Sequence, residues 1–384
     1  MPLMGSLYIG ASGLQTSQNA LNTTAHNLTN IDTVGYTRQQ VMQADKSYIR
    51  ISTNIHSVAN QQYGLGTGYS LVKQVRDYFL DKSYRKESGR SMFYEVSSNV
   101  MSEIEDQLGE MNGEAFQKTL SDFWTSIQEL SKDACSSVTQ SLFEQKASEF
   151  TERAEAVYNG LSSYQDNLNQ QVYTAVNQIN EYGNQLLELN DIIRAIEAGK
   201  IEHANDLRDL RNEILDSLGE MANISFKEDA LGNVSVQIEG VDFVKGSMCY
   251  EIAMDEDPAT GFYTPFWPLS ASFTEQADGT RVYNIDGAEV FDFSIEISSD
   301  FGTDIGKLKA MVLARGDHRA DYTDIDNDYD SIAQSVIMNV QAEFDQLVHN
   351  VSTKINGILA EASGAKTGQM KLDDGTYAEV FYAP

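Results

Sequence analysis

Leu7-Tyr-Ile-Gly-Ala11-Ser-Gly-Leu14-Gln-Thr-Ser-Gln18-Asn-Ala-Leu21-Asn-Thr-Thr-Ala25-His-Asn-Leu28 places a leucine at every seventh position. Met4, Ala11, Gln18 and Ala25 each stand three places before one of those leucines. That alternation of three and four is the seam of a coiled-coil-type helix. So thin a stripe is marginal alone in water, where nucleation and side-chain ordering oppose it. Burying each leucine is worth about 1.5–3 kcal/mol, so the seam calls for a partner. That partner is either this chain's own core or another subunit.

The seam stops in Asn27-Leu-Thr-Asn30-Ile-Asp32-Thr-Val-Gly35-Tyr36-Thr-Arg38-Gln-Gln40, where Asn30, Asp32 and Gly35 favour a turn over a helix. Strand-like runs follow at Tyr48–Ser52 and Tyr69–Val75, with Gly64, Gly66 and Gly68 between them. That glycine triplet leads into a strand and has no Lys-Ser/Thr after it, which argues against a phosphate loop.

Helical periodicity resumes near residue 76 and runs to about 219. One register holds Val96, Val100, Ile104, Leu108 and Met111; the next holds Phe116, Leu120, Phe123, Trp124, Ile127 and Leu130. A longer one runs from Phe150 through Leu161, Leu168, Ile179 and Leu186 to Ile196, with a break expected near Gly160 or Gly183. A turn at Gly199 then returns the chain through Leu207, Leu210, Ile214 and Leu218. Between Leu3 and Asp257 there is no proline, so long helices are permitted. Residues 222–304 switch to strand-like alternation around Val234, Val236 and Ile238, and hold the interior prolines Pro258, Pro265 and Pro268. A last amphipathic stretch carries Ile332, Val336, Val340, Phe344, Leu347, Val351, Ile355 and Ile358.

The expected fold is therefore mainly α with a separate β domain: a coiled-coil-type helix, an elongated antiparallel helical bundle, and an antiparallel β domain inserted between helical segments. The expected divisions are 1–35 for the heptad helix, 36–75 for an extended linker and 76–221 for the first part of the bundle. They continue with 222–304 for an acidic β domain, 305–362 for a returning helix and 363–384 for the start of a further segment.

Charge separates the head from the rest. The chain holds 27 Lys and Arg against 57 Asp and Glu, a net of −30 that argues against nucleic acid as a partner. Residues 1–90 carry nine basic and five acidic side chains, a net of +4, which leaves −34 for the remainder. No stretch approaches the ~20 apolar residues of a membrane-spanning helix, and the N-terminus lacks the basic n-region of a Sec signal peptide.

Candidate chemistry is thin. His26, His56, His203, His318 and His349 are scattered, and no nucleophile motif appears. Cys135 and Cys249 read as buried thiols. Asp324, Asp326, Asp328 and Asp330 alternate like a calcium loop, but Tyr329 and Ser335 occupy the positions of its glycine and final glutamate, so a solvated loop and helix cap is expected. Arg315-Gly316-Asp317 spells an adhesion tripeptide that three common residues produce by chance. No catalytic, cofactor-binding or metal-binding set emerges, and the chain does not read as an enzyme.

Asn27-x-x-Asn30-Ile-Asp32-Thr-x-Gly35-Tyr36-Thr-Arg38-Gln39, after a heptad helix, resembles the start of the bacterial flagellar axial proteins: the rod, hook and hook-associated group. Within that group, Gly66–Arg85, Val176–Asp216, Gly306–Asp317 and Phe344–Asn356 resemble the hook-filament junction proteins, and the likeness covers about residues 5–360. The chain departs from the pattern at Asp32, where Asn is common, and Val34, where Pro is common. The resemblance also leads one to expect two further helical segments after Pro384.

It implies a secreted structural subunit, exported by the flagellar type III apparatus with a chaperone, forming a homo-oligomeric ring at the hook tip. The hook protein would lie below it, and a second junction protein and the flagellin filament above, with no membrane insertion. Leu7, Ala11, Leu14, Leu21, Ala25 and Leu28 would then pack between subunits, and Asn30, Gly35, Tyr36 and Arg38 would form the joint beyond the axial helix. A hook or rod subunit, or an adhesin-like surface coiled coil, are the alternatives.

Overall fold

A computed structural model describes residues 2–46, 49–50, 62–109, 116–199, 203–275, 281–327, 329–363, 370–371 and 377–378. His56, Met111, Asp328 and most of the expected segment 363–384 lie outside these residues, as do Tyr48 and Ser52. The chain is mainly helical with a separate antiparallel sheet. In order it runs α1 (Pro2–Thr29), β1 (Gln39–Asp45), β2 (Ile49–Arg50), β3 (Gln62–Tyr63), β4 (Thr67–Gln74), α2 (Tyr78–Leu108), α3 (Phe116–Lys132), α4 (Ser137–Glu197) and α5 (Asn205–Met221). Strands β5 (Ile224–Glu228), β6 (Val234–Ile238), β7 (Val241–Lys245), β8 (Met248–Cys249), β9 (Ala253–Glu256), β10 (Tyr263–Phe266), β11 (Ser272–Glu275) and β12 (Arg281–Asn284) follow. The order closes with α6 (Lys307–Arg315), α7 (Tyr322–Asn327), α8 (Tyr329–Ile332), α9 (Val336–Ser363), β13 (Met370–Lys371) and β14 (Tyr377–Ala378). The chain divides into two compact units, Met1–Gly89 with Gln178–Glu251, and Arg90–Asn177 with Ile252–Pro384.

In the first unit, β1 and β4 pair antiparallel from Gln39 opposite Gln74 to Asp45 opposite Thr67. Strands β5 to β8 form a four-stranded antiparallel sheet in sequence order. Val234, Val236 and Ile238 alternate inward along β6, as a half-buried strand requires, and are joined in the core by Phe243 and Val244. Helix α4 supplies Ile179, Leu186, Leu189 and Ile193 to this unit, and α5 supplies Ile214, Leu215 and Leu218. The Asn190 carboxamide donates to the carbonyl of Val234 at 2.9 Å and accepts from its N–H at 3.0 Å, which fixes β6 at its first residue.

In the second unit the Phe123 ring stacks on Phe143 and Phe150, at 5.7 and 5.4 Å between centroids, and Phe116 meets Phe344 of α9 edge-on at 4.8 Å. Val157, Leu161, Leu168, Val172 and Val176 continue the buried stripe of α4. The stretch 222–304 thus contributes the β5–β8 sheet to the first unit and the antiparallel pairs β9–β10 and β11–β12 to the second.

Four expectations are corrected. Helix α4 runs through both Gly160 and Gly183 without a break. These glycines serve close packing: a Cβ at Gly183 would lie 2.4 Å from Phe243 Cζ and 2.6 Å from Cys249 Sγ, and one at Gly160 would lie 2.2 Å from Gln107 Oε1. Trp124, placed in an apolar register, is 60% exposed, since Phe123 already fills the interior. Cys135 sits exposed on the turn between α3 and α4, and Cys249 is half-buried. Lastly, Asp324 and Asp330 lie in α7 and α8 rather than in a loop, with the Asp321 side chain capping α7 through the N–H of Thr323 at 2.7 Å.

Candidate subunit-packing site

The site begins with which face of α1 is used inside the chain. Ser12 and Thr16, four residues apart on one face, are 6% and 4% exposed. Ser12 Oγ accepts from the Thr67 N–H at 3.3 Å, while Thr16 Oγ1 donates to the Ser12 carbonyl at 2.8 Å and reaches the Thr67 carbonyl at 3.5 Å. Gly66 makes that approach possible: its φ is +89°, and a Cβ there would lie 2.1 Å from Ser12 Oγ and 3.3 Å from the Ile9 Cα. The helix therefore docks on the β1–β4 hairpin through small hydroxyl side chains.

At 100° per residue Leu14 projects ~200° round the helix from Ser12, on the far side from the hairpin. The seam is accordingly open along its length: Met4 and Leu7 are each 71% exposed, Leu14 75%, Leu21 71% and Leu28 70%. Ala11, Gln18 and Ala25 are exposed as well. The usual polarity of an amphipathic helix is inverted, with the polar face turned to the chain and the leucine face to solvent. Of the two partners the sequence left open, the chain's own described residues do not provide the cover.

The joint is built from polar clamps. Asn30 closes α1, its Nδ2 donating to the His26 carbonyl at 2.9 Å and its Oδ1 accepting from Thr33 Oγ1 at 3.2 Å. Gly35, at φ +78°, turns the chain where a Cβ would come 3.2 Å from Glu213 Oε2. The Tyr36 hydroxyl donates to Asn27 Oδ1 at 2.7 Å, and its ring meets His26 edge-on at 5.4 Å. Burial, then the charges of Asp209 and Asp206, raise the Tyr36 pKa, so the hydroxyl stays protonated and donates. Arg38 contributes its carbonyl to the Val75 N–H at 2.9 Å and leaves its side chain exposed.

The structure adds residues that the sequence reading did not single out as site residues. Asp209 on α5 accepts from the Thr37 N–H at 3.2 Å and from Gln74 Nε2 at 2.8 Å, so one carboxylate ties the joint to the end of β4. Burial is the main cause that raises its pKa. Asn205 donates to the Val72 carbonyl at 3.2 Å. The α5 base is fixed by Arg208, which forks onto Glu197 at 2.8 and 2.7 Å. That hydrogen bonding pulls the Glu197 pKa down from 4.5 to about 2. A hydroxyl pair at i and i+4 opposite a heptad seam was the available signal for Ser12 and Thr16. For Asn27, Asn205 and Asp209 the only signal was membership in the motifs already quoted.

None of this geometry presents a reacting group. Among the described residues no group of three or more His, Cys, Asp or Glu side chains could hold a metal ion, and no helix is long and apolar enough to cross a membrane. Arg315 of the Arg-Gly-Asp tripeptide is 2% exposed, stacked on Phe262 and bonded to Asn169 Oδ1 at 2.7 Å and the Tyr263 carbonyl at 2.8 Å, so it is unavailable as an adhesive cation.

The outward leucine seam and the turn that follows it fall within residues 7–37, which match the flagella basal body rod protein family. Residues 101–372 match the helical domain of flagellar hook-associated protein FlgK, and the chain belongs to that family. It is 32% identical over 230 residues to flagellar hook-associated protein 1 of Bacillus subtilis, covering 59% of this chain and 45% of the relative. The same-named protein of Salmonella typhimurium is 27% identical over 248 residues, covering 63% and 43% respectively. The chain thus spans under half the length of these curated relatives. The solved hook junction protein FlgK of Burkholderia pseudomallei aligns with a TM-score of 0.45 at 20% identity, over 61% of this chain and 39% of that one.

Proposed function

We propose that this chain is a structural subunit of the bacterial flagellum at the junction of hook and filament, working by helix packing between subunits and performing no catalysis. The observation that carries this reading is the seam. Leucines at positions 7, 14, 21 and 28 are each 70% exposed or more on a helix whose opposite face is already engaged. Leaving them in water forgoes about 1.5–3 kcal/mol apiece, so assembly is the state in which the seam is buried. Leu7, Leu14, Leu21 and Leu28, with Ala11 and Ala25 as the close-approach positions, form the packing surface. Asn30, Gly35, Tyr36 and Arg38 set the angle at which the chain leaves it.

In this reading the subunit is secreted through the flagellar export apparatus with a chaperone and forms a ring at the hook tip. Hook protein lies beneath, and a second junction protein and the flagellin filament lie above. Membership in the hook-associated family supports that placement. The uncharged α1 also suits close packing of like chains, since it carries no Asp, Glu, Lys or Arg at all. Electron microscopy of cells lacking the gene tests the reading: hooks without filaments are expected, and absent or shortened hooks would instead indicate a rod or hook subunit.

A further inference from the structure

We propose that a cavity in the second unit binds a small zwitterion, holding its carboxylate on Arg315 and its ammonium group among the carboxylates of an acidic rim. The cavity measures about 480 Å³ and lies between β10, the segment 289–294, the end of α6 and the start of α9. Pro265, Phe291, Val312 and Met338 are the buried apolar residues of its wall. Its size and lining are those of a small-molecule site, apolar for the most part with a few convergent polar groups. It is separate from the leucine seam and does not depend on the subunit reading.

The Arg-Gly-Asp tripeptide organises the site, since buried Arg315 and exposed Asp317 both line it. At Gly316 φ is +74° and a Cβ would lie 1.9 Å from Met338 Sδ, so α9 packs directly on the tripeptide backbone. Of the Arg315 guanidinium, Nε donates to the Gly316 carbonyl at 2.9 Å, and Nη1 to Asn169 Oδ1 at 2.7 Å and the Tyr263 carbonyl at 2.8 Å. Nη2 has no partner among the described residues and is left to the cavity. Arg315 likewise forms no ion pair there, although the charge of Asp317 is felt. Burial pulls its pKa from 12.5 down to about 10. A buried cation with spare N–H donors is costly until an acceptor fills the place, and a carboxylate is the acceptor a guanidinium holds most strongly.

The rim has the opposite need. Glu289, Asp292, Asp317 and Asp330 line the cavity and are all exposed. Asp317 meets His318 Nδ1 at 2.6 Å, while the other three have no ion pair among the described residues. Asp292 accepts from the Ser294 hydroxyl at 2.6 Å and senses the charge of Lys309 only from a distance. No described group of acids here could hold a metal ion. An anion alone would be repelled by the rim, and a cation alone by the guanidinium. A carboxylate and an ammonium group on one apolar body answer the floor, the rim and the wall together.

The test uses the purified chain with isotope-labelled methionine methyls, following the Met338 resonance as ligand is added. L-Phenylalanine and ε-aminocaproate offer a short and a long spacing between ammonium and carboxylate; phenylpropanoate, phenethylamine, caproate and hexylamine carry one charge each. At least one zwitterion should saturate the Met338 shift with a dissociation constant of ~1 mM or tighter, and its single-charge analogues should bind about tenfold more weakly. Asp292→Asn with Asp330→Asn, both at exposed positions, should weaken that zwitterion about tenfold while circular dichroism matches the parent. The floor is probed through the ligand's carboxylate, because replacing Arg315 would also strip Asn169 and the Tyr263 carbonyl of their donor. Failure of both zwitterions to shift Met338 would overturn the site. So would a single-charge analogue that binds as tightly as its zwitterion, or an affinity unchanged in the rim variant.

Discussion

Asn27 pairs with Gln39 as one peptide group pairs with another: its Nδ2 donates to the Gln39 carbonyl at 2.8 Å while its Oδ1 accepts the Gln39 N–H at 2.9 Å. The last turns of α1 thereby act as a strand partner for the start of β1. Tyr36 adds its hydroxyl to the same Oδ1 at 2.7 Å. Helix, turn and strand are locked at one point by hydrogen bonds, which leaves the leucine face free of any internal duty.

Replacing Asn27 by Ala strips three partners at once and leaves the Gln39 backbone groups unpaired. A loss of about 1–3 kcal/mol is expected in urea unfolding, along with faster amide exchange at Gln39. Asn27→Asp should cost a similar amount, because an acceptor then faces the Gln39 carbonyl. An unchanged exchange rate at Gln39 would refute the lock.

Gly183→Ala pits helix propensity against packing. Alanine improves an exposed helix interior by about 1 kcal/mol, but here the methyl would press on Phe243 and Cys249. Overpacking costs about 1–3 kcal/mol, so net destabilisation is expected. Gly357→Ala is the control, since nothing lies within 4 Å of a Cβ there and the change should stabilise α9. Thermal melts of the two variants should move in opposite directions.

Gly66→Ala combines a backbone conformation unsuited to L side chains with a collision against Ser12. The expected result is local: α1 loses exchange protection while β5–β8 keeps theirs. Uniform loss across the first unit would mean that the helix and hairpin are less separable than described.

Acid should act through Glu197. Its folded pKa of about 2 lies below the ordinary 4.5 because Arg208 holds the carboxylate. The stabilisation is therefore complete above about pH 5 and fades as pH falls from 4.5 towards 2. With partial solvent screening it amounts to on the order of 2 kcal/mol. Glu197→Gln should lower stability at pH 7 and flatten its decline over that window. A decline of unchanged steepness would assign the acid sensitivity elsewhere.

What the sequence made legible, and what it hid, divides by the range of the cause. The seam of α1 and its stop at Asn30–Gly35 are local patterns of period and turn chemistry, and both appear in the structure. The apolar register Val96, Val100 and Ile104 is likewise buried. Gly160 and Gly183 misled because a glycine chosen for a distant neighbour is indistinguishable in sequence from one that ends a helix; only Gln107 and Phe243 reveal the difference. Arg315 reads as a surface tripeptide until Asn169, more than a hundred positions earlier, is seen to hold it. Asp209 was not singled out, since its partners Thr37 and Gln74 are remote in sequence.

The central claim is that the outward leucine seam builds the assembly without being needed for the fold of the chain. Leu14→Asp combined with Leu21→Asp tests it most directly, because both positions are above 70% exposed on the seam. The variant, as the cell's only copy, should be secreted with the circular dichroism of the parent, yet leave hooks bare of filaments under the electron microscope. Filaments attached at the parental frequency would contradict the account.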